Sequence, residues 1–346
     1  MSNIKPTIVL PAEWAEQDFV QLTWPHELTD WAYMLGEVNA CFVNIAREIL
    51  KQEKLVIVCH KADTIKTLLG DVDFTRIQFV EMPTNDTWAR DHGGITVLKD
   101  GKSVVYDFTF NGWGMKFAAN YDNQITRQLF DKEAFGIEFD YQVCLDFVLE
   151  GGSIESDGEG TLLTTAECLL SDNRNNKSKV EIETRLKQLF GLKQVLWLHH
   201  GFLAGDDTDS HVDTLARLCS TDTIAYVKCD VFSDEHYAEL KKMELELQSF
   251  RTSNNQPYNL IPLPMADAVY VDNERLPATY ANFLIINRTV LFPTYKSPKD
   301  ELAKQQLQKA FPDREIVGID CLALIKQHGS LHCVTMQYPK PPATEG

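Results

Sequence analysis

The sequence predicts a single α/β domain rich in strands. Short apolar runs alternate with amphipathic stretches along the whole chain, and strand signals outnumber helix signals about two to one. No low-complexity linker or Pro/Gly-rich hinge interrupts the pattern, so residues 1–346 read as one unit. Such an excess of strands argues against simple βαβ alternation.

Taken in order, apolar residues recurring at three and four predict a helix over Glu37–Leu50, followed by a buried strand over Lys54–Cys59. Further helices are expected over Val180–Phe190, Glu235–Phe250, Lys299–Phe311 and Cys321–His328, the last capped by Gly329. Strands are expected over Arg76–Val80, Gly94–Leu98, Val104–Phe110, Thr161–Thr165 and Gln194–Leu198. Others are expected over Thr223–Val227, Leu260–Pro262, Tyr280–Ile286, Val290–Phe292, Glu315–Ile319 and Leu331–Met336.

Composition narrows the function. The 346 residues are 44% hydrophobic and 24% charged, an ordinary globular balance with no signature of disorder. Thirty-three basic residues face 50 acidic ones, a net charge of −17. So acidic a chain repels nucleic acid and anionic lipid and favours cationic ligands, although solubility alone would also account for it. The N-terminal residues lack a signal-peptide pattern, and no apolar run approaches the ~20 residues of a spanning helix, so a cytoplasmic protein is expected. Eight scattered cysteines without a CxxC pair read as reduced thiols, most of them small core residues.

Polar residues that are expensive to bury gather in four stretches, each beside a predicted strand. Asn85-Asp-Thr-Trp-Ala-Arg-Asp-His-Gly-Gly94 sets Asp86, Trp88, Arg90 and Asp91 before a strand. A turn with a surface Arg–Asp pair is the plain reading, but Trp88 among charges needs burial and a partner for its N–H. In Val148-Leu-Glu-Gly-Gly-Ser-Ile154, Glu150 closes an apolar run before two glycines. That suits a positioned acid or base with close backbone approach, and equally an exposed glutamate before a turn.

In Gly205-Asp-Asp-Thr-Asp-Ser-His-Val-Asp213, His211 and Asp213 would share one face of an extended segment, as proton carrier and cation binder. A solvated loop is the alternative, and a helix-loop-helix calcium site lacks its glycine and distal glutamate. The fourth stretch is His328-Gly-Ser-Leu-His-Cys-Val-Thr335. Strand alternation would put Cys333 and His332 on opposite faces, making the distant His211 the better base. A zinc site from His328, His332 and Cys333 lacks a convincing fourth ligand. Carboxylates around a thiol raise its pKa, which disfavours attack on anions and suits a cation. A guanidinium fork is bound bidentately by carboxylates, holding its carbon against sulfur.

These motifs resemble those of the agmatine deiminase branch of the guanidino-modifying superfamily, which is related to the bacterial peptidylarginine deiminases. The likeness covers Ala12-Glu-Trp14, Thr23-Trp-Pro-His26, Asn85-Asp-x-Trp-x-Arg-Asp91, Phe110-Asn-Gly-Trp-Gly114 and Glu150-Gly-Gly-Ser-Ile154. It continues through Cys168-Leu-Leu, Asn173-Arg-Asn175, Asp206–Asp213 and His328–Thr335. One departure is His328-Gly-Ser-Leu331 where many relatives carry Gly-Gly-Gly-Asn. The resemblance implies a five-bladed α/β propeller (pentein) of ββαβ-type modules around a central active site. It implies Cys333 as nucleophile, His211 as proton shuttle, Asp91 and Asp213 as guanidinium clamp, and Glu150 as a further catalytic carboxylate. Trp88 and Trp113 would flank the aliphatic stem, and Asp207 would receive the distal ammonium.

The implied reaction is hydrolysis of agmatine to N-carbamoylputrescine and ammonia through a cysteine thiouronium, in polyamine biosynthesis, with no metal or organic cofactor. Peptidylarginine or free-arginine deimination and amidinotransfer are the alternatives, as is a polyamine-binding protein without turnover. The expected partners are a small cationic guanidino substrate and further copies of the chain, a homodimer or larger, with no nucleic acid and no membrane.

Overall fold

A computed structural model describes residues 7–342. Among them, five sheets of three or four strands share one plan, with a two-stranded hairpin (Tyr270–Val271, Glu274–Arg275) outside it. In each, an antiparallel pair leads through a helix to a parallel neighbour. The first sheet has Ile95–Lys99 antiparallel to Lys102–Thr109, which crosses by Ile125–Asp131 to Phe139–Val148. The second runs Ile154–Ser156, Thr161–Thr165, then by Lys179–Phe190 to Gln194–Leu198. The third runs Ala216–Ser220, Thr223–Lys228, then by Tyr237–Ser249 to Asn259–Pro264.

The fourth is Leu284–Ile285, Thr289–Thr294, then by Lys299–Ala310 to Glu315–Asp320. The fifth joins the two ends of the chain: Thr335–Pro339 pairs antiparallel with Gln17–Thr23, which crosses by Leu35–Leu50 to Lys54–Cys59 and on to Ile77–Glu81. The repeat is therefore one of topology and not of letters.

The crossover helices form where the sequence predicts them. Leu35–Leu50 buries Val38, Cys41, Phe42, Ile45 and Ile49, one apolar stripe at helical spacing. Lys179–Phe190 opens on a capping box in which Ser178 and Glu181 exchange side-chain and backbone hydrogen bonds. It ends at Gly191 in the left-handed region, where a Cβ would lie 2.0 Å from the Ile8 carbonyl oxygen.

Three predicted elements differ. The helix from Cys321 shortens to Leu322–Ile325, and the left-handed residue that ends it is His328, not Gly329. Gly329 is required for another reason: a Cβ there would lie 2.1 Å from Trp88 Cζ3. Residues Leu331–Val334 form a turn, and the strand begins only at Thr335. The Asn282 side chain causes this by accepting the backbone N–H groups of both His332 and Cys333, at 2.9 and 3.3 Å, which takes them from any ladder. Tyr280–Ile286 likewise keeps only Leu284–Ile285 as strand, because Asn282 serves that turn.

The shared plan positions the chemistry. Asp91, Glu150, His211 with Asp213, Asn282 and Cys333 each lie a few residues before the first strand of one sheet's antiparallel pair. Five equivalent corners of the fold thus each contribute a polar side chain to one place.

Candidate active site

Asp91 sits on the one-turn helix Ala89–His92, almost wholly buried. Its Oδ2 accepts the Trp113 indole N–H at 2.9 Å and its Oδ1 the Gly152 backbone N–H at 3.1 Å. Trp113 is presented by a run of four left-handed residues, Gly112 to Met115 (φ 66°, 53°, 81° and 66°), tied by the Asn111 side chain to Gly114 N–H. Non-glycine residues are costly in that conformation, and the indole's bond to Asp91 is what the strain secures.

Glu150 ends the segment after Phe139–Val148 and is fully buried, both oxygens 3.0 Å from Arg174 Nε. Arg174 also donates to Asp209 Oδ2 at 2.7 Å and to the Thr208 carbonyl at 2.9 Å. His211 follows two left-handed residues, Asp209 and Ser210, in a loop organised by Asp206, whose carboxylate accepts from Thr208 and Ser210. The acidic run is therefore an internally bonded loop and not a solvated one. His211 and Asp213 do not lie on an extended segment; Val212–Thr214 is a 3-10 turn, which still turns both side chains inward.

The second glycine after Glu150 marks where these groups meet. A Cβ on Gly152 would fall 2.7 Å from His211 Nδ1, 2.8 Å from Asp91 Oδ1 and 3.0 Å from Asp213 Oδ2. His211 is wholly buried with neither ring nitrogen hydrogen-bonded, and Asp91 Oδ1 lies 3.6 Å from its Nδ1. Asp213 Oδ2 is 4.0 Å from Cys333 Sγ, which also lies 3.4 Å from Asn282 Oδ1.

His332 is not turned away from the site as strand alternation predicts. The turn at Leu331–Val334 lets its Nδ1 donate to Asp213 Oδ2 at 2.7 Å. It remains unsuited as a base, since its other nitrogen faces Glu13 Oε1 at 2.8 Å and Arg217 Nη2 at 3.1 Å. Arg90 is structural: it bonds Glu13 at 3.0 Å and Gln337.

Above these groups opens a cavity of about 190 Å³. Trp88, Trp113, Phe117 and Cys333 line it, together with Asp30, Asp86, Asp91, Asp206 and Asp207. Among the lining residues none is lysine or arginine. Lys116, nearby, is taken up by Asp209 Oδ1 and the Asp207 carbonyl, both at 2.7 Å. Of the predicted site residues, Trp88, Asp91, Trp113, Asp207 and Cys333 reach the wall, and Glu150, His211 and Asp213 lie buried around it.

Electrostatics follow from burial of like charges. Burial, partly offset by Trp113 and reinforced by Glu150, pushes Asp91 up to about 7. Burial and Asp91 push Asp213 well up. Burial, Asp213 and Asp91 push the Cys333 thiol well up, and burial with Arg174 and Lys116 pushes the His211 imidazole well down. These shifts favour a neutral Cys333 thiol and a neutral His211 imidazole.

The donors in and behind this site are already engaged with arginines. Glu150, Cys168 and His211 come close enough together to share an ion, as do Glu13, Glu155 and His332, but Arg174 and Arg217 already sit within those groups. The predicted zinc grouping fails because the His328 Nδ1 bonds the Gly205 carbonyl at 2.7 Å and His332 is engaged elsewhere. Sequence reasoning assigned no role to Arg174, Asn282, Glu13, Glu155 or Arg217. Only Glu13, in Ala12-Glu-Trp14, and Arg174, in Asn173-Arg-Asn175, lay within motifs already noted.

A buried cysteine, an unpaired imidazole and buried carboxylates beneath an acidic, aromatic-walled cavity are an arrangement suited to receiving a cation. A sequence model of the Porphyromonas-type peptidyl-arginine deiminase family matches residues 9–339, and the chain belongs to that family. An agmatine deiminase of Stutzerimonas stutzeri (strain A1501) is 33% identical over 358 residues, 96% of this chain and 95% of that one. A C. jejuni agmatine deiminase solved with substrate bound is 39% identical, with a TM-score of 0.92 over 99% of both chains. A Porphyromonas gingivalis structure, described provisionally as an arginine deiminase, is 55% identical with a TM-score of 0.92, covering 97% of this chain and 99% of that one.

Proposed function

We propose that the protein is an agmatine deiminase, hydrolysing agmatine to N-carbamoylputrescine and ammonia and so serving putrescine formation in the cytoplasm. The observation that carries the substrate is the cavity wall: five aspartates, and no lysine or arginine among the lining residues. Agmatine is a cation at both ends, whereas arginine would bring a carboxylate to a wall whose one basic side chain, His328, is turned to the Gly205 carbonyl and Asp207. The 55% identity to the provisional arginine deiminase makes free arginine the second reading.

In this reading Asp91 and Asp213 clamp the guanidinium, whose charge offsets their burial. Trp88 and Trp113 flank the methylene stem, and the wall acids including Asp207 receive the ammonium. The substrate cation lowers the thiol pKa, and the proton of Cys333 passes to His211. Sulfur then attacks the guanidinium carbon. His211 as imidazolium returns the proton to the departing nitrogen, which leaves as ammonia and a thiouronium on Cys333. Neutral His211 next takes a proton from water, whose oxygen attacks the same carbon. The C–S bond breaks, and the ureido product leaves with the thiol restored. Glu150, anchored by Arg174, acts with His211 as the further carboxylate. No metal or organic cofactor enters the scheme.

We also propose that the chain is one catalytic domain, that its five sheets are the blades of a propeller around this site, and that it assembles as a homodimer or larger. The repeated sheet plan and the closure of the fifth sheet by both chain ends support the propeller. Incubation with agmatine, arginine and an arginine peptide, with assays for ammonia and ureido product, tests the substrate. Agmatine turnover at least about tenfold above arginine in kcat/KM is expected, as for a site lacking one partner charge; equal turnover of arginine would sink the assignment. Release of ammonia without an added amine separates hydrolysis from amidinotransfer.

A further inference from the structure

The two oxygens of Asp213 have different fates. Oδ2 accepts the His332 Nδ1–H at 2.7 Å, whereas Oδ1 is buried without a partner. Behind the ring, Nε2 faces Glu13 Oε1 at 2.8 Å and Arg217 Nη2 at 3.1 Å. Glu13 is in turn fixed by Arg90 Nη1 at 3.0 Å, Arg217 Nη2 at 2.5 Å and Gln337 Nε2 at 3.3 Å. Arg217 spends its other donors on Glu155 and on the Ala281 and Phe283 carbonyls at 3.0 and 2.7 Å. The His332 backbone N–H is held by Asn282 as well, so the ring is fixed at its base and at both nitrogens.

A carboxylate has a broad, roughly two-fold terminal torsion and does not orient itself. If Asp213 turned freely, either oxygen would compete for the thiol proton. We propose that His332, backed by Glu13, is a positioning residue: it occupies Oδ2 of Asp213, so that Oδ1 alone is presented to the substrate guanidinium. The same bond draws charge from Asp213 Oδ2, 4.0 Å from Cys333 Sγ, and so lessens its hold on the thiol proton. The donor to Asp213 is kept in either protonation state of the ring. A singly protonated imidazole accepts from Arg217 at Nε2, and a doubly protonated one donates to Glu13 there. This inference rests on Asp213 binding the guanidinium.

The test compares His332→Leu, His332→Asn and His332→Gln with wild type and Asp213→Asn, measuring kcat and KM for agmatine and thermal stability. The Asn amide N–H stands near the place of Nδ1, and that of Gln near Nε2. Loss of orientation in His332→Leu should lower kcat/KM about 100-fold. His332→Asn should recover most of that loss and His332→Gln little of it, irrespective of their Tm order. Were His332 only a packing residue, losses would follow Tm and Asn would fare no better than Gln; that pattern, or wild-type kcat/KM in His332→Leu, overturns the proposal. If His332→Leu does not fold, the Asn and Gln pair decides alone. Asp213→Asn keeps the two failures apart: full activity there refutes the clamp itself, whatever the His332 variants do.

Discussion

Two buried charged clusters lie back to back and are built on opposite rules. In the lower one every carboxylate oxygen of Glu13 and Glu155 has a partner, from Arg90, Arg217, His332, Gln337 or the Leu218 N–H. Burial works to raise Glu13, yet His332, Arg217 and Arg90 overcome it and hold its carboxyl well below the usual range. Burial pushes Glu155 up to about 7 despite Arg217, so the clusters differ in hydrogen-bond partners and not in carboxyl pKa. In the upper one Asp213 Oδ1 and both nitrogens of His211 are unpartnered, and burial leaves Asp91 near 7. Buried polar groups are ordinarily satisfied, and an exception calls for a reason. In the proposed reading the lower cluster is finished structure, whereas the upper one is completed by the substrate, a cation with N–H donors.

The contrast breaks most visibly under exchange of charge for amide. Asp91→Asn and Asp213→Asn should each lower kcat/KM for agmatine by about 10²–10³-fold, the loss of a charge-assisted clamp, while Tm holds or rises by a few degrees. Steady-state kinetics with a thermal melt reads both; a large fall in Tm would place these acids with the structural cluster. Arg217→Met should do the reverse to stability, leaving Glu13 and Glu155 without their cation. Breaking a buried pair costs about 3–5 kcal/mol, a Tm loss of about 4–7 °C in a chain of this size. An unchanged melting curve would contradict that role.

A smaller effect isolates Asp91 by pH. Asp91 titrates in the folded enzyme near 7, above its ordinary value. Between about pH 4 and 7 the folded state therefore binds more protons at Asp91 than the unfolded one, and that contribution to stability declines as pH rises through the window. Wild type should thus lose more stability than Asp91→Asn between pH 5.5 and 7.5. Agmatine should reverse the trend, binding the inactive Cys333→Ala variant with proton release and more tightly as pH rises. Calorimetry in buffers of different ionisation enthalpy measures this; pH-independent binding would count against Asp91 as a clamp. Smallest of all is Asp207→Asn, since the carboxylate is 44% exposed and screened. A rise in KM of about threefold with little change in kcat is expected, and a kcat effect would move Asp207 into the chemistry.

Local sequence revealed the upper cluster better than the lower. Asp91, Glu150, His211, Asp213 and Cys333 stand in short polar motifs at strand ends, where such residues are conspicuous. Glu155 and Arg217 lie inside strands, and their pairing joins residues 62 apart in the chain. No local pattern reports a partner at that distance. The crossover helices were legible because each buries a periodic stripe. The segment Leu331–Met336 alternates like a strand, but Asn282 binds its backbone first and makes a turn, and that turn brings His332 to Asp213. Strand propensity yielded to a side chain 50 residues away. The five-fold repetition escaped the letters because it resides in the order and direction of strands.

If Cys333 attacks a guanidinium carbon held in the upper cluster, it must carry that carbon during turnover. Rapid acid quench of the enzyme during agmatine turnover, followed by mass analysis of the peptide carrying Cys333, tests it directly. The account predicts an adduct on Cys333 equal to agmatine less ammonia, absent from Cys333→Ala and increased where the second step is slowed. Agmatine turnover with Cys333 unmodified at every time, or undiminished in Cys333→Ala, would contradict it.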